Sequence, residues 1–164
     1  MTELINEREN MKINIYVIDK KGKKELYDPL IEHYIKSCRQ WAEVQVHSIF
    51  TKAIAKAHDV SPAAAQRSYT EAFEKFLGGG IYAIALDPSS RQVDSEGFAD
   101  LLKDRGVVNL FIGGAFGLER GFIDKCNTAI SFGKITLSHK LVTVVLAEQI
   151  FRGLSILHNH PYHK

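Results

Sequence analysis

Only two cysteines, Cys38 and Cys126, occur among the 164 residues, and neither belongs to a recognisable motif. This scarcity excludes a disulfide framework and a cysteine-rich zinc site, and it favours the reducing cytoplasm as the location of the protein. No uncharged apolar stretch reaches the length of a membrane span, and the polar start MTELINEREN lacks the apolar region of a secretory signal. We therefore expect neither export nor membrane insertion.

A strong excess of charge of one sign is also missing, since the formal net charge is only +2. A protein that holds nucleic acid by charge alone is expected to be far more basic. The densest basic segment, DKKGKK at 19–24, fits a solvated turn better than a phosphate contact. If RNA is the partner, the shape of the RNA must therefore supply much of the recognition.

Short apolar segments alternate with helical patterns along the chain. The apolar segments lack strict alternation of polar and apolar residues, which is typical of strands that are covered on both faces. The pattern predicts one α/β domain at 11–164, built on a mainly parallel sheet with helices on both faces. We predict that residues 1–10 form an extension outside this fold. The apolar segments lie at 13–18, 44–50, 81–86, 107–112 and 128–132.

Capping residues mark the starts of two predicted helices. Ser61 followed by Pro62 is typical of the first positions of a helix. A later helix is predicted to begin at Asp94 or Ser95 and to end at Gly106.

The last predicted helix, at 138–158, differs from the others because it is apolar on nearly every side. A helix of this kind must be buried on more than one face. Other helices are already predicted to cover the sheet, so we favour an interface between two subunits as the second contact of this helix.

Three predicted strands end in segments that suit ligand binding, because ligands in open parallel sheets bind beyond the carboxyl ends of the strands. The segments are LDPSSR, GGAFGL and GKITLSH, and they follow the strands at 81–86, 107–112 and 128–132. Gly113, Gly114 and Gly117 allow the backbone to approach a ligand closely. A tight turn explains the same GGxxG pattern equally well.

The histidines do not form a recognisable reactive site. The three histidines of the terminal LHNHPYHK lack the rigid support of a metal site, so no metal is expected. No motif for a nucleophile with its base, for a metalloprotease helix or for paired carboxylates occurs. His33, His47 and His58 fall on ordinary helix or strand patterns, and we interpret them as structural or facing solvent.

The motifs of the last third, taken in order, resemble one known family. They are FIGGAFGL, AISFGKITLSHKLVTVVLAEQIFRGLSIL and NHPYHK, preceded by a strand that ends in ALD. From residue 11 to the end, the chain is similar to the bacterial ribosomal RNA large subunit methyltransferase H family. The resemblance implies a SPOUT-type α/β fold with a C-terminal trefoil knot, a homodimer, and S-adenosylmethionine as cofactor. It also implies methylation of N3 of a pseudouridine in helix 69 of 23S rRNA in the assembled ribosome.

The resemblance assigns the cofactor contacts to the three segments at the strand ends. Main-chain N–H and C=O groups are expected to hold the adenine and methionine groups there, so glycine and apolar walls matter more than charged side chains. The implied cofactor-binding residues are Leu86, Gly113, Phe132, Gly133, Lys134, Ile135, Thr136 and Leu137.

The resemblance also gives the end of the chain a catalytic role. We hypothesise that the tail of one subunit reaches the cofactor pocket of the other. There Tyr162 orders the nucleobase or the RNA backbone. His163 acts as general base or orients the substrate, and Lys164 contacts phosphate. Arg152 is a further phosphate or substrate contact, and His160 is a substrate contact. The alternative is that His160 and Tyr162 only pack the tail against the protein.

His139 directly follows the last cofactor segment. It either supports that segment by hydrogen bonds, which we favour, or contacts the substrate. Two segments depart from the family pattern. The sequence Ser89-Ser90-Arg91 stands where glycine and lysine often occur, which leaves the path of the LDPSSR segment open. Ser138 stands where proline is common, which reduces rigidity next to the cofactor.

Two other functions agree with the same sequence. One is a ribosome-binding or assembly factor that keeps the fold but no longer turns over. The other is a SPOUT methyltransferase that acts on a different RNA. Measurable cofactor binding distinguishes either enzyme from the factor.

Overall fold

The computed structural model describes residues 10–22 and 26–164, in which strands and helices alternate. Most of the predicted N-terminal extension, and the last two lysines of DKKGKK, lie outside the described residues, so the extension stays a prediction. In chain order the elements are β1 (Met11–Ile18), α1 (Asp28–Cys38), β2 (Ala42–Ile49), α2 (Lys52–Val60), α3 (Pro62–Phe73), a 3-10 turn (Glu74–Phe76), β3 (Ile81–Gln92), α4 (Ser95–Leu102), β4 (Val107–Ile112), α5 (Arg120–Lys125), β5 (Thr128–Ser131) and α6 (His139–Leu157).

The strands form one parallel sheet with the order β2-β1-β4-β3-β5. In its centre, Ile15 of β1 pairs with Val46 on one side and with Leu110 on the other. Parallel neighbours need crossover connections, which here contain the helices. The carboxyl ends of all described strands consequently lie along one edge of the sheet.

Helices cover both faces of this sheet. One core cluster joins strand residues such as Ile15 and Leu110 to side chains of α1, α4 and α6. The other joins Tyr16 and Phe111 to side chains of α2, α3 and α5. Neighbouring strand residues therefore face opposite apolar layers, which explains why the strands lack polar and apolar alternation. The predicted α/β fold with helices on both faces is confirmed.

The predicted helix starts are confirmed at their caps. Ser61 Oγ accepts a 3.0 Å hydrogen bond from the N–H of Ala64, and Asp94 Oδ1 accepts one of 2.7 Å from the N–H of Gly97. The predicted end of α4 at Gly106 was wrong. The helix stops at Leu102 because the next residue is extended and the one after it has a φ of 58°. The sequence did not predict α2 and α5, because their nine and six residues give little periodic signal.

The apolar last helix, α6, is capped by Ser138, whose Oγ accepts a 3.3 Å hydrogen bond from the N–H of Leu141. The helix packs against both α1 and α4, and side chains such as Ile150 and Leu154 are buried within the chain. Packing inside one chain therefore accounts for much of its apolar character. The subunit interface that we favoured stays a prediction.

Candidate active site

A cleft of about 610 Å³ opens at the edge of the sheet where β3, β4 and β5 end. Its volume lies within the range of about 300–1,000 Å³ that is typical of small-molecule sites. Backbone and apolar side chains of the three segments selected from the sequence form most of its walls. The lining residues lie at 86–88, 112–115, 117, 130–133, 135–139 and 142.

The cleft brings together the residues that were predicted to bind the cofactor, with one exception. Leu86 lines it from β3, Gly113 from β4, and the segment at 132–137 from β5. Lys134 is the exception, and its side chain is exposed. These distant segments meet because β4, β3 and β5 are neighbours in the sheet and their carboxyl ends lie side by side.

The glycine loop after β4 is shaped by contacts within the protein. A Cβ atom at Gly114 would lie 2.5 Å from Tyr69 Oη, and one at Gly113 would lie 2.9 Å from the carbonyl carbon of Gly117. Gly117 itself has a φ of 73°, in the left-handed region that favours glycine. Of the two interpretations offered by the sequence, the tight turn accounts for Gly113 and Gly117, whereas packing against Tyr69 accounts for Gly114. The cleft is then lined by the backbone of this turn.

β3 continues beyond Leu86, where the sequence predicted its end. Both Leu86 and Arg91 pair with Ile130 of β5, so the residues between them bulge out of the strand. Within the bulge, Ser90 Oγ donates a 2.7 Å hydrogen bond to Asp87, which lines the cleft. Ser90, a departure from the family pattern, therefore stabilises one wall of the cleft.

The tail residue Tyr162 lies against α6, where Glu148 and Arg152 hold it. The Tyr162 hydroxyl donates a 3.0 Å hydrogen bond to Glu148 Oε1, and Arg152 Nε donates one of 3.0 Å to the same oxygen. The guanidinium of Arg152 also lies over the Tyr162 ring, 4.7 Å from its centroid. Burial, together with the hydrogen bond to Glu148, raises the pKa of Tyr162 to about 12. The hydroxyl therefore stays protonated at neutral pH.

His163 faces a cation with one ring nitrogen and a carboxylate with the other. Nη1 of Arg152 lies 3.2 Å from Nδ1 of His163, and because a guanidinium can only donate, Nδ1 accepts. Nε2 then carries the proton and lies 3.7 Å from Oε1 of Glu96. In this arrangement the lone pair of His163 is occupied. That lone pair becomes available to another partner only after the contact with Arg152 is released.

Trp41 holds the beginning of the tail. The ring of His158 stacks on it at 5.2 Å between centroids, and the ring of His160 meets it edge-on at 5.4 Å. His160 Nδ1 also accepts a 3.3 Å hydrogen bond from the N–H of Tyr162. Lys164 is exposed. The packing contacts of His160 agree with the alternative stated for it, and they leave the side chain largely accessible.

The cleft and the tail cluster, which we define as Glu148, Arg152, Tyr162 and His163, are separate within one chain. Over the part of the chain that the structure describes, no member of the tail cluster lines the cleft. Helix α6 contributes Val142 to the cleft and Arg152 to the tail cluster, and this spacing along a helix corresponds to about 15 Å. One chain therefore does not unite the two groups of residues.

Comparison with known proteins decides the family. The family model described as "Predicted SPOUT methyltransferase" matches residues 11–163. The chain belongs to the SPOUT methyltransferase family. Proteins named ribosomal RNA large subunit methyltransferase H, from a Sulfurovum species, Aliarcobacter butzleri and Helicobacter pylori, are 67%, 46% and 40% identical to this chain. Each alignment covers 94% of this chain and 100% of the relative. The resemblance drawn from the motifs is thus confirmed at the level of the family.

The first turn of α6 in this SPOUT methyltransferase is tied to the end of β1 at the rim of the cleft. Nε2 of His139 lies 2.9 Å from Oδ1 of Asp19, and Nζ of Lys140 lies 2.8 Å from Oδ2. His139 therefore makes its hydrogen bond with the residue after β1, and not with the segment at 132–137 that we favoured. From the sequence, Asp19 was expected only to lie in a solvated turn. Its position directly after an apolar strand, at the edge where ligands bind, was a usable signal.

Neither a metal centre nor a membrane helix is found in the described part of this SPOUT chain. Within residues 10–22 and 26–164, no group of three or more His, Cys, Asp or Glu side chains is placed to hold a metal ion. Over the same residues, no helix combines the length and the hydropathy needed to cross a membrane. Cys38 and Cys126 are free thiols, and burial raises the pKa of each to about 12.

Proposed function

We propose that this SPOUT methyltransferase transfers a methyl group from S-adenosylmethionine to ribosomal RNA of the large subunit. The proposed target is N3 of a pseudouridine in helix 69 of 23S rRNA, in the assembled ribosome and hence in the cytoplasm. The observation that carries the proposal is the cleft built from the ends of β3, β4 and β5. The names of the full-length relatives support ribosomal RNA as the substrate.

The residues of the cleft fit the cofactor. Its volume suits a nucleoside joined to an amino acid, and its apolar walls and turning backbone suit an adenine ring held by main-chain groups. Gly133 of the last segment lines the cleft with a φ of 136°, a backbone conformation that favours glycine. The residues proposed to hold the cofactor are Leu86, Gly113, Phe132, Gly133, Lys134 through its main chain, Ile135, Thr136 and Leu137.

The chain must prepare N3 as a nucleophile. When bound, S-adenosylmethionine supplies an electrophilic methyl group. N3 of the base carries a proton in an imide, which has no nucleophilic lone pair, so a general base must remove that proton as the N–C bond forms. We assign this role to His163, whose lone pair becomes available when RNA draws Arg152 away from it. Tyr162 positions the nucleobase of the RNA. Arg152, His160 and Lys164 contact the RNA.

The separation of the cleft from the tail cluster supports a homodimer. Because Arg152 lies about 15 Å along α6 from Val142 of the cleft, we infer that the tail of one subunit meets the cleft of the other. His139, at the rim of the cleft, is then placed to contact the substrate on the same side as the cofactor. The trefoil knot belongs to this proposal, and the match of residues 11–163 to the SPOUT methyltransferase family supports it.

Methyl transfer from radiolabelled S-adenosylmethionine tests the proposal. Intact ribosomes, separated subunits and tRNA, each from cells that lack the gene, serve as substrates, and mass spectrometry identifies the modified nucleoside. We expect N3-methylpseudouridine in 23S rRNA of intact ribosomes only. Label in another RNA would favour a SPOUT methyltransferase that acts on that RNA. Cofactor binding without label on any of these RNAs would also point to another RNA, whereas absence of cofactor binding would favour the ribosome-binding factor.

Variants of the tail test its role in the reaction. Tyr162→Ala and His163→Ala are expected to lower turnover on the order of a hundredfold, while cofactor affinity changes by less than about threefold. The matched control is His158→Ala, which removes an exposed tail histidine that only stacks on Trp41. Unchanged turnover in the first two variants would reject a catalytic tail.

Mixed dimers test whether the tail acts across the subunits. Ile135→Asp places a charge in the apolar cleft at a side chain that is 80% exposed, so the fold should tolerate it. Alone, this variant is expected to be inactive, and Tyr162→Ala is expected to keep about a hundredth of the wild-type turnover. Because a mixed dimer contains one intact combination of cleft and tail, a random one-to-one mixture should regain about a quarter of the wild-type rate. A mixture without activity would show that cleft and tail act within one chain.

A further inference from the structure

Three aromatic rings form a continuous surface beside the cleft. Phe50 follows β2, His58 lies in the last turn of α2, and Phe116 lies in the glycine loop after β4. The His58 ring lies 5.8 Å from the Phe50 ring and 5.3 Å from the Phe116 ring, and it meets both edge-on. Phe50 and Phe116 nevertheless stay 37% and 38% exposed. Part of each large apolar ring therefore faces outwards.

Helix α3 fixes this ring surface in place. Gln66 Nε2 donates a 2.8 Å hydrogen bond to the carbonyl oxygen of Phe116. The hydroxyl oxygen of the buried Tyr69 lies 2.6 Å from Nε2 of His58. Such a preorganised surface loses little conformational entropy when a partner binds to it.

The ring surface adjoins the cleft directly. Ala115 and Gly117, the chain neighbours of Phe116, both line the cleft. Phe116 packs instead against His58 of α2. Phe116 of the ring surface is therefore only one residue, or about 4 Å of backbone, away from residues that line the cleft.

Helices α2 and α3, which carry His58 and the contacts to Phe116, have a small excess of exposed positive charge. Lys52 and Lys56 on α2 and Arg67 on α3 are exposed, and the exposed acids Asp59 and Glu71 of the same helices offset them only in part. Single-stranded nucleic acid combines phosphates for such cations with flat bases that stack on aromatic rings. A paired stem does not present the faces of its bases.

We infer that Phe50, His58 and Phe116 form a stacking surface for an unpaired base of the RNA substrate. This base is a neighbour of the nucleotide that reacts at the cleft. The inference rests on the proposed function, which supplies the RNA and the reacting nucleotide. It adds a specific contact that compensates for the modest net charge of the chain.

The inference is tested by substitutions that remove the aromatic face but keep an apolar side chain, and by one that keeps the aromatic face. Transfer is measured with intact ribosomes at varied concentration, using Phe116→Leu, Phe50→Leu and Phe116→Tyr. The leucine variants should raise KM for ribosomes at least about fivefold, with kcat within about twofold, because the stacking face is lost. Phe116→Tyr keeps that face and should retain the wild-type KM. The control is Val60→Ala, which shortens a 75% exposed apolar side chain of α2 outside the ring surface.

The results distinguish this inference from the proposed function. If wild type transfers methyl groups and both leucine variants keep its KM, the stacking surface is rejected and the proposed function stands. If Phe116→Tyr is as impaired as Phe116→Leu, the bulk or apolar character of the ring matters, and docking on a protein replaces stacking on a base. If wild type transfers nothing to ribosomes, the proposed function and this inference fail together. Unchanged cofactor affinity shows that each variant is folded.

Discussion

Glu148 of α6 and Tyr162 of the tail are joined by a 3.0 Å hydrogen bond between residues that lie fourteen positions apart. The same carboxylate accepts a hydrogen bond from Arg152, which in turn contacts His163. The position of the residues proposed to act on RNA therefore depends on one acidic side chain of a buried helix.

Removal of that acidic side chain should loosen the tail. Glu148→Ala leaves Arg152 and Tyr162 without their shared acceptor, so we expect unfolding in urea to be easier by about 1–3 kcal/mol, and turnover to fall. The control is Asp124→Ala, which breaks the exposed pair of Asp124 with Arg120. This pair should contribute less than about 1 kcal/mol. An equal loss of stability in both variants would contradict a special role for Glu148.

The contact between Gly114 and Tyr69 predicts a sharp steric effect. Gly114→Ala places a methyl group 2.5 Å from Tyr69 Oη, so the loop must move and stability should fall by about 1–3 kcal/mol. Cofactor affinity should fall with it, because the loop lines the cleft. Gly121→Ala, where nothing lies within 4 Å of the added carbon, is expected to be neutral or stabilising by up to about 1 kcal/mol.

A second substitution tests the cause of this effect. Tyr69→Phe removes the nearest atom that the added methyl group would meet, whereas Cζ of the same ring, at 2.8 Å, remains. It should therefore restore only part of the cofactor affinity of Gly114→Ala in calorimetric titration. Tyr69→Phe alone should reduce stability, because it removes the hydrogen bond to His58. A double variant no better than Gly114→Ala would show that the contact with the Tyr69 hydroxyl is not the cause.

Asp19 is expected to affect cofactor binding indirectly, through the first turn of α6, and to make no contact with the reacting groups. Asp19→Asn keeps the shape of the side chain but removes the charge shared by His139 and Lys140. The first turn of α6 borders the cleft, so its loosening should raise the Kd of the cofactor about fivefold. Hydrogen exchange of that turn should rise in parallel. Asp59→Asn, the same change at an exposed carboxylate of α2, should alter neither quantity.

Acid should destabilise the fold through His47. Burial lowers the pKa of His47, so the folded state binds a proton less readily than the unfolded state does. Stability contributed by the neutral imidazole is therefore present above the ordinary histidine pKa of about 6.5 and decreases as the pH falls below it. His47 also lies 3.1 Å from Oδ1 of Asn14.

Urea unfolding between pH 7.5 and pH 5.5 measures this effect. His47→Gln keeps a group that can donate to Asn14 but no longer titrates, so its stability should change less over this interval than that of wild type. His33→Gln removes an exposed histidine of α1 and should keep the wild-type slope. A wild-type slope in His47→Gln would contradict the assignment.

Some structural features could be predicted from the sequence because their causes are local. Ser61, Asp94 and Ser138 cap helices through residues that lie three positions ahead, and capping chemistry is visible in a short segment. In the candidate site, the segments at the ends of β3, β4 and β5 could be predicted for a similar reason. Each follows an apolar run directly, and the parallel fold brings such strand ends to one edge.

Other features depend on residues that are distant in the chain. The continuation of β3 after its bulge requires β5 beside it, because Leu86 and Arg91 both pair with Ile130. The packing of Tyr69 against Gly114 requires α3 to lie over the end of β4. Neither relation leaves a periodic signal in the sequence.

The sequence by itself determined the α/β class, the helix caps, the membership of the SPOUT family and the segments that line the cleft, because periodicity, capping and motif order are properties of contiguous residues. Only the tertiary structure decided which side chains meet. Asp19 reaches His139 across 120 positions, and Glu148 holds Tyr162 beside α6. Such pairs form because the order of the strands and the packing of the last helix bring distant parts of the chain within hydrogen-bonding distance.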